Sequence, residues 1–140
     1  MVLIGQTTRK FTRNESLKIV LLVFGAFFVV GVYPLTILWP PGFAWHTGYS
    51  EYLVMILGIY ATLGVFLMLA ARNPLENLSL IWFTVWSSFV HGGIMAVQAL
   101  MGPEHYAHLL GDVPLVFIVA IVLAVLTPRG EQARALRSQV

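Results

Sequence analysis

Histidine and acidic side chains are the residues of this chain most able to do chemistry, and they fall into two groups. His91 lies alone in a long apolar segment, whereas His46, His105 and His108 lie close to acidic residues in two short polar segments. The chain has no cysteine, which excludes a disulfide framework, a thiolate nucleophile and every thiolate metal site. The candidate chemistry is therefore that of imidazole and carboxylate groups.

His91 lies near the middle of the apolar segment 80–101, on a polar stripe of one predicted helix face. The other members of the stripe are Thr84, Ser87, Ser88, Met95 and Gln98. Tyr60 lies at a similar depth in the neighbouring apolar segment, so its hydroxyl is the predicted partner of the imidazole. An ionisable group is expensive to bury in lipid, which favours a ligand-binding or proton-carrying role for His91. The alternative is hydrogen bonding across a helix interface without any ligand.

The sequence is compatible with three ligands at His91: a porphyrin-type ring, a divalent metal or a transferred proton. One chain supplies one histidine at this depth, so haem would need a second ligand from a symmetry mate or a methionine, or an open sixth position. A chlorophyll-type pigment would need His91 alone, with Gly92 and Gly93 clearing space for its ring. Close helix packing is the alternative role of these two glycines.

The second group of candidate ligands lies in the segments 40–50 and 102–112 and at their borders. The predicted metal ligands are His46, Glu51, His105, His108 and Asp112, with Glu104 close by. Imidazole and carboxylate groups three or four positions apart on a short helix are suited to zinc, copper, iron or manganese. The alternative is a set of interfacial polar residues, with Glu51 and Asp112 placed at helix N-termini, where the helix dipole favours negative charge.

Four long apolar segments must position these residues. The chain has 140 residues, of which 59% are hydrophobic and 10% charged, a composition that excludes a water-soluble globule. The apolar segments are 17–39, 51–71, 80–101 and 113–127, with an N-terminal segment 1–16 and a tail 128–140. Since about 20 apolar residues cross a bilayer as a helix, the sequence predicts an all-α polytopic membrane protein with four transmembrane helices in an up-down bundle.

The basic residues predict the orientation of this bundle. All eight lie before or just inside the first span, in the middle loop or in the tail, and segments 40–50 and 102–112 contain none. Basic residues collect on the cytoplasmic side, so both termini are predicted to be cytoplasmic. Exposed basic clusters mixed with aromatic residues are absent from the sequence, which argues against nucleic-acid binding.

Smaller signals predict local features. Pro34 is expected to kink the first helix, and the segment from Asn73 to Glu76 is expected to add a turn before the third. Trp45 is assigned to an aromatic belt at the outer interface. The small residues Gly58, Ala61 and Gly64 are available for self-association, so a homo-oligomer or a partner in a membrane complex is expected beside the bilayer itself.

The order of the aromatic and polar residues that separate the apolar segments resembles that of small bacterial four-helix inner-membrane proteins of unknown function, including BphX-like proteins. The segments that carry the resemblance are Trp39-Pro40-Pro41-Gly42-Phe43-Ala44-Trp45-His46, Ala71-Arg72-Asn73-Pro74, Ser79-Leu80-Ile81-Trp82-Phe83-Thr84 and Gly111-Asp112-Val113-Pro114. The resemblance implies four helices in a bacterial inner membrane, and it carries no catalytic motif.

The sequence is compatible with three functions. The first is an integral membrane protein that binds a ligand at His91, and the second is a structural or assembly subunit of a larger membrane complex. The third is a metal-dependent membrane enzyme that uses the outer histidines and acids. An enzyme is the least favoured of the three, because the short loops provide little protein to enclose a substrate away from water.

Overall fold

The computed structural model describes residues 2–130, 135 and 138, with side chains from residue 13 onward. Its helices are α1 Val2–Ala26, α2 Val32–Leu38, α3 Pro40–Phe43, α4 Glu51–Ala70, α5 Leu78–Leu100 and α6 Asp112–Leu126. A π-helical turn, Phe27–Gly31, joins α1 to α2, and 3₁₀ segments, Pro74–Glu76 and Pro103–Leu109, precede α5 and α6. The described part of the chain contains no strand.

Four helical stretches are long and apolar enough to cross a membrane. They are Arg13–Leu38, Glu51–Ala70, Leu78–Leu100 and Pro103–Leu126. The predicted fold class is therefore confirmed: the chain is an all-α four-helix bundle and a multi-pass membrane protein. The fourth apolar segment, 15 residues by sequence, is extended by the 3₁₀ helix that leads into α6, which explains how so short a run gains the length of a span.

The first span is irregular one turn before its proline. Pro34 has no N–H group to donate to the carbonyl of Val30, and Val30 lies inside the π-helical turn Phe27–Gly31. The turn that leads into α5 also follows the predicted pattern, because Pro74–Glu76 forms one 3₁₀ turn directly after Asn73.

Helices α1 and α4 cross at two glycines. A Cβ atom built on Gly64 would lie 2.5 Å from the Gly25 carbonyl oxygen, and one built on Gly25 would lie 2.7 Å from that of Gly64. Only residues without a side chain allow backbones to approach so closely. The expected use of Gly64 in self-association is wrong for this reason, since α1 covers it, whereas Gly58 has open space around it.

The packed core occupies one half of the bundle. Its buried members come from the first part of the first span, the last part of α4, the start of α5 and the end of α6: Leu17, Leu21, Phe28, Leu67, Ala71, Ile81, Val85, Val119 and Leu123. This half contains the start of the first span and the end of the last, because the Arg13 side chain bonds carbonyls at the end of α6. We call it the terminal end, and the opposite end, formed by residues 40–50 and 102–111, the loop end.

Arg13 joins the first and last spans at the terminal end. Its guanidinium donates to the carbonyl oxygens of Val125, Leu126 and Thr127 at 2.9, 3.0 and 3.2 Å. A cation at a helix C-terminus interacts favourably with the unpaired carbonyls and the helix dipole. The described basic residues Arg13, Lys18, Arg72 and Arg129 lie in the elements of this end; Arg9, Lys10, Arg134 and Arg137 fall outside the residues whose side chains are described.

Candidate functional site

The two polar segments of the loop end pack directly on each other. Gly42, in α3, contacts Gly111 so closely that a Cβ atom on Gly111 would collide with the Gly42 backbone. The contact places α3 beside the 3₁₀ helix Pro103–Leu109. The two loops therefore form one lid over the bundle rather than two independent connections.

Trp45 is fixed between the two loops by two histidines and a carboxylate. Its indole ring stacks on His108 with centroids 4.0 Å apart and 18° between the planes, and His105 lies 5.2 Å away. Its Nε1–H group donates to Asp112 Oδ2 at 3.0 Å. The prediction that Trp45 anchors in the lipid interface misses this arrangement, because the partners of the indole lie 60 or more residues away in sequence.

His108 and Asp112 form a buried pair at the start of α6. His108 is 1% exposed, and its Nδ1 atom lies 3.0 Å from Asp112 Oδ2 and 3.1 Å from Oδ1. Since buried polar groups need partners, the indole and the imidazole together satisfy a carboxylate at the edge of the membrane-spanning segment. The i and i+4 spacing of the pair indicated this proximity in the sequence.

Below the lid, a cavity of about 220 Å³ lies in the loop-end half of the bundle. All four spans contribute to its wall, which is mostly apolar. The polar or polarisable side chains that line it are Thr36, Trp45, Tyr60, His91, Met95, Gln98 and Asp112. A mainly apolar cavity with a few convergent polar groups has the character of a small-molecule site.

The structure places His91 and Tyr60 side by side in this cavity. Their ring centroids are 5.9 Å apart and the planes meet at 69°, an edge-to-face contact. Tyr60 also packs on Phe28 from the first span, with centroids 5.1 Å apart. The predicted bond between the tyrosine hydroxyl and the imidazole is not among the hydrogen bonds of the described residues, so the pair meets through ring surfaces.

Only part of the predicted polar stripe reaches the cavity. Gln98 lines it together with His91, but Ser87 and Ser88 do not. The Ser87 hydroxyl donates to the Thr84 carbonyl at 3.2 Å, and the Thr84 hydroxyl donates to the Leu80 carbonyl at 2.9 Å. These hydroxyls are satisfied within their own helix, as is common in membrane helices, and no longer need a ligand to explain them.

The two glycines after His91 have different surroundings. A Cβ atom on Gly92 would lie 3.2 Å from the Phe117 ring, so the space beside Gly92 is filled by a side chain of α6. Gly93 has nothing within 4 Å of such an atom. Gly92 therefore serves helix packing, the alternative of the two predicted roles, rather than making room for a flat ring.

The predicted metal ligands are spread over three places. His108 and Asp112 are paired, His46 and His105 line a separate cleft of about 430 Å³ with Glu104, and Glu51 is exposed in the first turn of α4. Within the described residues, no group of three or more histidine, cysteine or acidic side chains is arranged to hold a metal ion. The described structure therefore does not bring the predicted metal ligands together at one place.

Trp45 is the candidate site residue that the sequence did not identify. It lines the internal cavity, a lipid-facing cleft along α4 and the polar cleft with His46 and His105. Its position at the junction of the three makes it the partition between the cavity and the outside. A tryptophan between two histidine-bearing loops was the available signal, but spacing alone does not reveal which loops pack together.

Most of the chain matches a known protein family. The model of a family described as a family of unknown function, DUF6632, matches residues 12–139. No curated protein and no solved structure matches the chain significantly.

Proposed function

We propose that this chain, which belongs to the DUF6632 family of unknown function, binds a small and mainly apolar molecule in the cavity at its loop end. The observation that carries the proposal is the convergence of His91, Tyr60, Gln98 and Asp112 on one mostly apolar cavity between all four spans. In an apolar wall, a small number of polar groups at defined positions orient a ligand of this kind.

The size of the cavity favours one class of ligand among those that the sequence left open. Its volume of about 220 Å³ lies below the roughly 300–1,000 Å³ of pockets that hold drug-sized molecules. A porphyrin or chlorophyll macrocycle is larger still, and Phe117 fills the space at Gly92 that such a ring would need. A molecule with a single ring and one hydroxyl, carbonyl or amine group matches both the volume of the cavity and the polar side chains of its wall. The same side chains could also exchange a proton with such a ligand.

The lid determines how this ligand enters. Trp45 borders both the cavity and the lipid-facing cleft on α4, which is lined mostly by apolar side chains. A molecule dissolved in the bilayer reaches the cavity past this indole, whereas the polar cleft with His46 offers a route from water. Since the ligand is mainly apolar, the lipid-side route is the one we propose.

Mass spectrometry of the purified protein tests the proposal. We expect a small organic molecule to co-purify with the wild type and to be lost from Leu57→Phe, which fills the cavity, and from His91→Leu. Val54→Phe is the matched control, because Val54 on the same helix is 51% exposed and should leave the bound molecule in place. A wild-type protein that carries no such molecule would support the alternative, a structural or assembly subunit of a larger membrane complex.

We further propose that the protein resides in a bacterial inner membrane with both termini in the cytoplasm, as the resemblance to BphX-like proteins implies. The distribution of charge supports the orientation: Arg13, Lys18, Arg72 and Arg129 belong to the terminal end, and residues 40–50 and 102–112 contain no lysine or arginine. This asymmetry follows the positive-inside rule. The open face at Gly58 leaves room for a second copy of the chain or for a partner in the membrane.

A further inference from the structure

A second, larger cleft lies at the terminal end, remote from the proposed ligand cavity. It has a volume of about 660 Å³ and is lined by Asn14 and Lys18 of α1 and by the connection 72–76 between α4 and α5. The internal cavity is lined by none of these residues. Any ligand of this cleft is therefore independent of the function proposed above.

Two cations on the wall of the cleft can bind an anion. Lys18 and Arg72 bring two cations to its wall and Glu76 brings one carboxylate. Lys18 Nζ lies 3.0 Å from Glu15 Oε1, a bond that occupies one of the three donors of the ammonium group. The remaining donors of Lys18 and the planar fork of Arg72 match the oxygens of a phosphodiester.

Asn14 adds a second and independent feature. Its side-chain oxygen is buried and has no hydrogen-bond partner within the described residues, and the residue lines the cleft. A buried amide oxygen without a donor costs free energy. Because Asn14 lines the cleft, rotation of its amide group would present this oxygen to a ligand that carries a hydroxyl beside its phosphate.

The position of the cleft identifies the source of such a ligand. Lys18 lies within the first span, five residues after its start at Arg13, and Arg72 follows the end of α4. Both therefore lie at the depth of the phospholipid headgroups, where basic pockets between transmembrane helices bind anionic lipids.

We infer that the cleft binds the headgroup of an anionic phospholipid, with its phosphodiester at Lys18 and Arg72 and a headgroup hydroxyl donating to Asn14. Phosphatidylglycerol has this chemistry. Phosphatidylmethanol has the same charge without the hydroxyl, and phosphatidylcholine has the phosphate without the net charge. These three lipids separate the contributions of charge and hydroxyl.

Native mass spectrometry of the full-length protein with each lipid in detergent tests the inference. We expect phosphatidylglycerol to bind in preference to phosphatidylcholine, and Lys18→Gln with Arg72→Gln to weaken its binding about tenfold or more. Arg72→Gln alone covers the case in which the double variant fails to fold, because Arg72 is exposed. Asn14→Leu should remove the preference for phosphatidylglycerol over phosphatidylmethanol and leave the preference over phosphatidylcholine intact.

Arg129→Gln is the matched control. Arg129 is a cation of the same end that lies over the Trp82 ring at 4.8 Å and does not line the cleft, so its loss should leave lipid binding unchanged. The inference is overturned if Arg129→Gln weakens binding as much as Arg72→Gln, since general attraction to basic residues would then explain it. Displacement of the lipid by millimolar inorganic phosphate would identify a free anion, not a lipid, as the ligand.

Discussion

Trp45 touches both members of the His108–Asp112 pair and also borders the cavity. An indole is well suited to this position, because its ring supplies a wide apolar surface while its N–H group satisfies a buried carboxylate. The residues that hold the lid and the residue that separates the cavity from lipid are thus in direct contact. A substitution of His108 or Asp112 would therefore displace the indole at the entrance of the cavity.

Replacement of this indole tests the lid. Trp45→Phe keeps an aromatic ring for stacking but removes the bond to Asp112, so we expect the free energy of unfolding to fall by about 1–3 kcal/mol. Thermal unfolding in detergent measures the change. Trp39→Phe is the control, because Trp39 is 41% exposed and its contact with Phe43 is between rings; an equal loss in both variants would contradict the role of the hydrogen bond.

Sequence reasoning found the residues of the cavity wall better than their contacts. His91, Tyr60 and Gln98 were identified because helical periodicity and depth depend only on the local sequence. The hydroxyls of Ser87 and Thr84 proved to bond within their helix, a choice that periodicity cannot distinguish from bonding to a ligand. The metal prediction for the outer residues depended on how two loops pack, which local sequence does not encode.

At the scale of helices, the bundle is held together by two kinds of contact. In the terminal half, large apolar side chains such as Leu21, Leu67 and Ile81 fill the interior, whereas α1 and α4 meet through bare backbone at Gly25 and Gly64. Backbone contact of this kind tolerates no added atom, because neither side has a rotamer to change.

Two alanine substitutions on α4 test this crossing. Gly64→Ala should lower the free energy of unfolding by about 1–3 kcal/mol, since its Cβ would press on the Gly25 carbonyl. Gly58→Ala, on the same helix but in open space, should be neutral or stabilise by up to about 1 kcal/mol through helix propensity. Chemical unfolding in mixed micelles compares the two, and an equally tolerated Gly64→Ala would show that the helices separate easily at this point.

The bounds of α4, α5 and α6 were predictable to within a few residues, whereas α1 begins at Val2, 15 residues before the predicted start of the first span. The four spans follow from long apolar runs. The turn at Pro74 follows from a proline at the first helical position, whereas the Asn73 side chain makes no capping hydrogen bond. The π-helical turn at Phe27–Gly31 was predicted only as a kink at Pro34, because a proline removes one hydrogen bond without determining how the preceding turn accommodates the loss.

Across the whole molecule, Arg13 connects the first span to the last. Arg13→Gln removes the charge and the planar guanidinium that bonds three carbonyls at the end of the last span, so we expect a loss of about 2 kcal/mol in the free energy of unfolding. Arg13→Lys keeps the charge without the planar fork and should lose less. Thermal unfolding in detergent distinguishes them, and a larger loss for Arg13→Lys would argue against a role for the charge.

The orientation of the molecule is tested by single cysteines in a chain that has none of its own. An impermeant thiol reagent added to intact cells should label Thr47→Cys, at the loop end, and should leave Asn77→Cys and Glu131→Cys unlabelled until the cells are opened. Glu131 lies outside the described residues, and its prediction rests on sequence alone. The reverse pattern of labelling would invert the proposed orientation.

The bonds of Arg13 also bear on how the protein is made. The guanidinium and the Thr127 carbonyl that it binds are separated by 114 positions, and a ribosome delivers those positions in order. When the first helix enters the bilayer, α4 can join it at Gly25 as soon as it emerges, but the last helix has not yet been translated. The Arg13 guanidinium therefore lacks these acceptors until residues 125–127 have been translated and the last helix has joined the bundle.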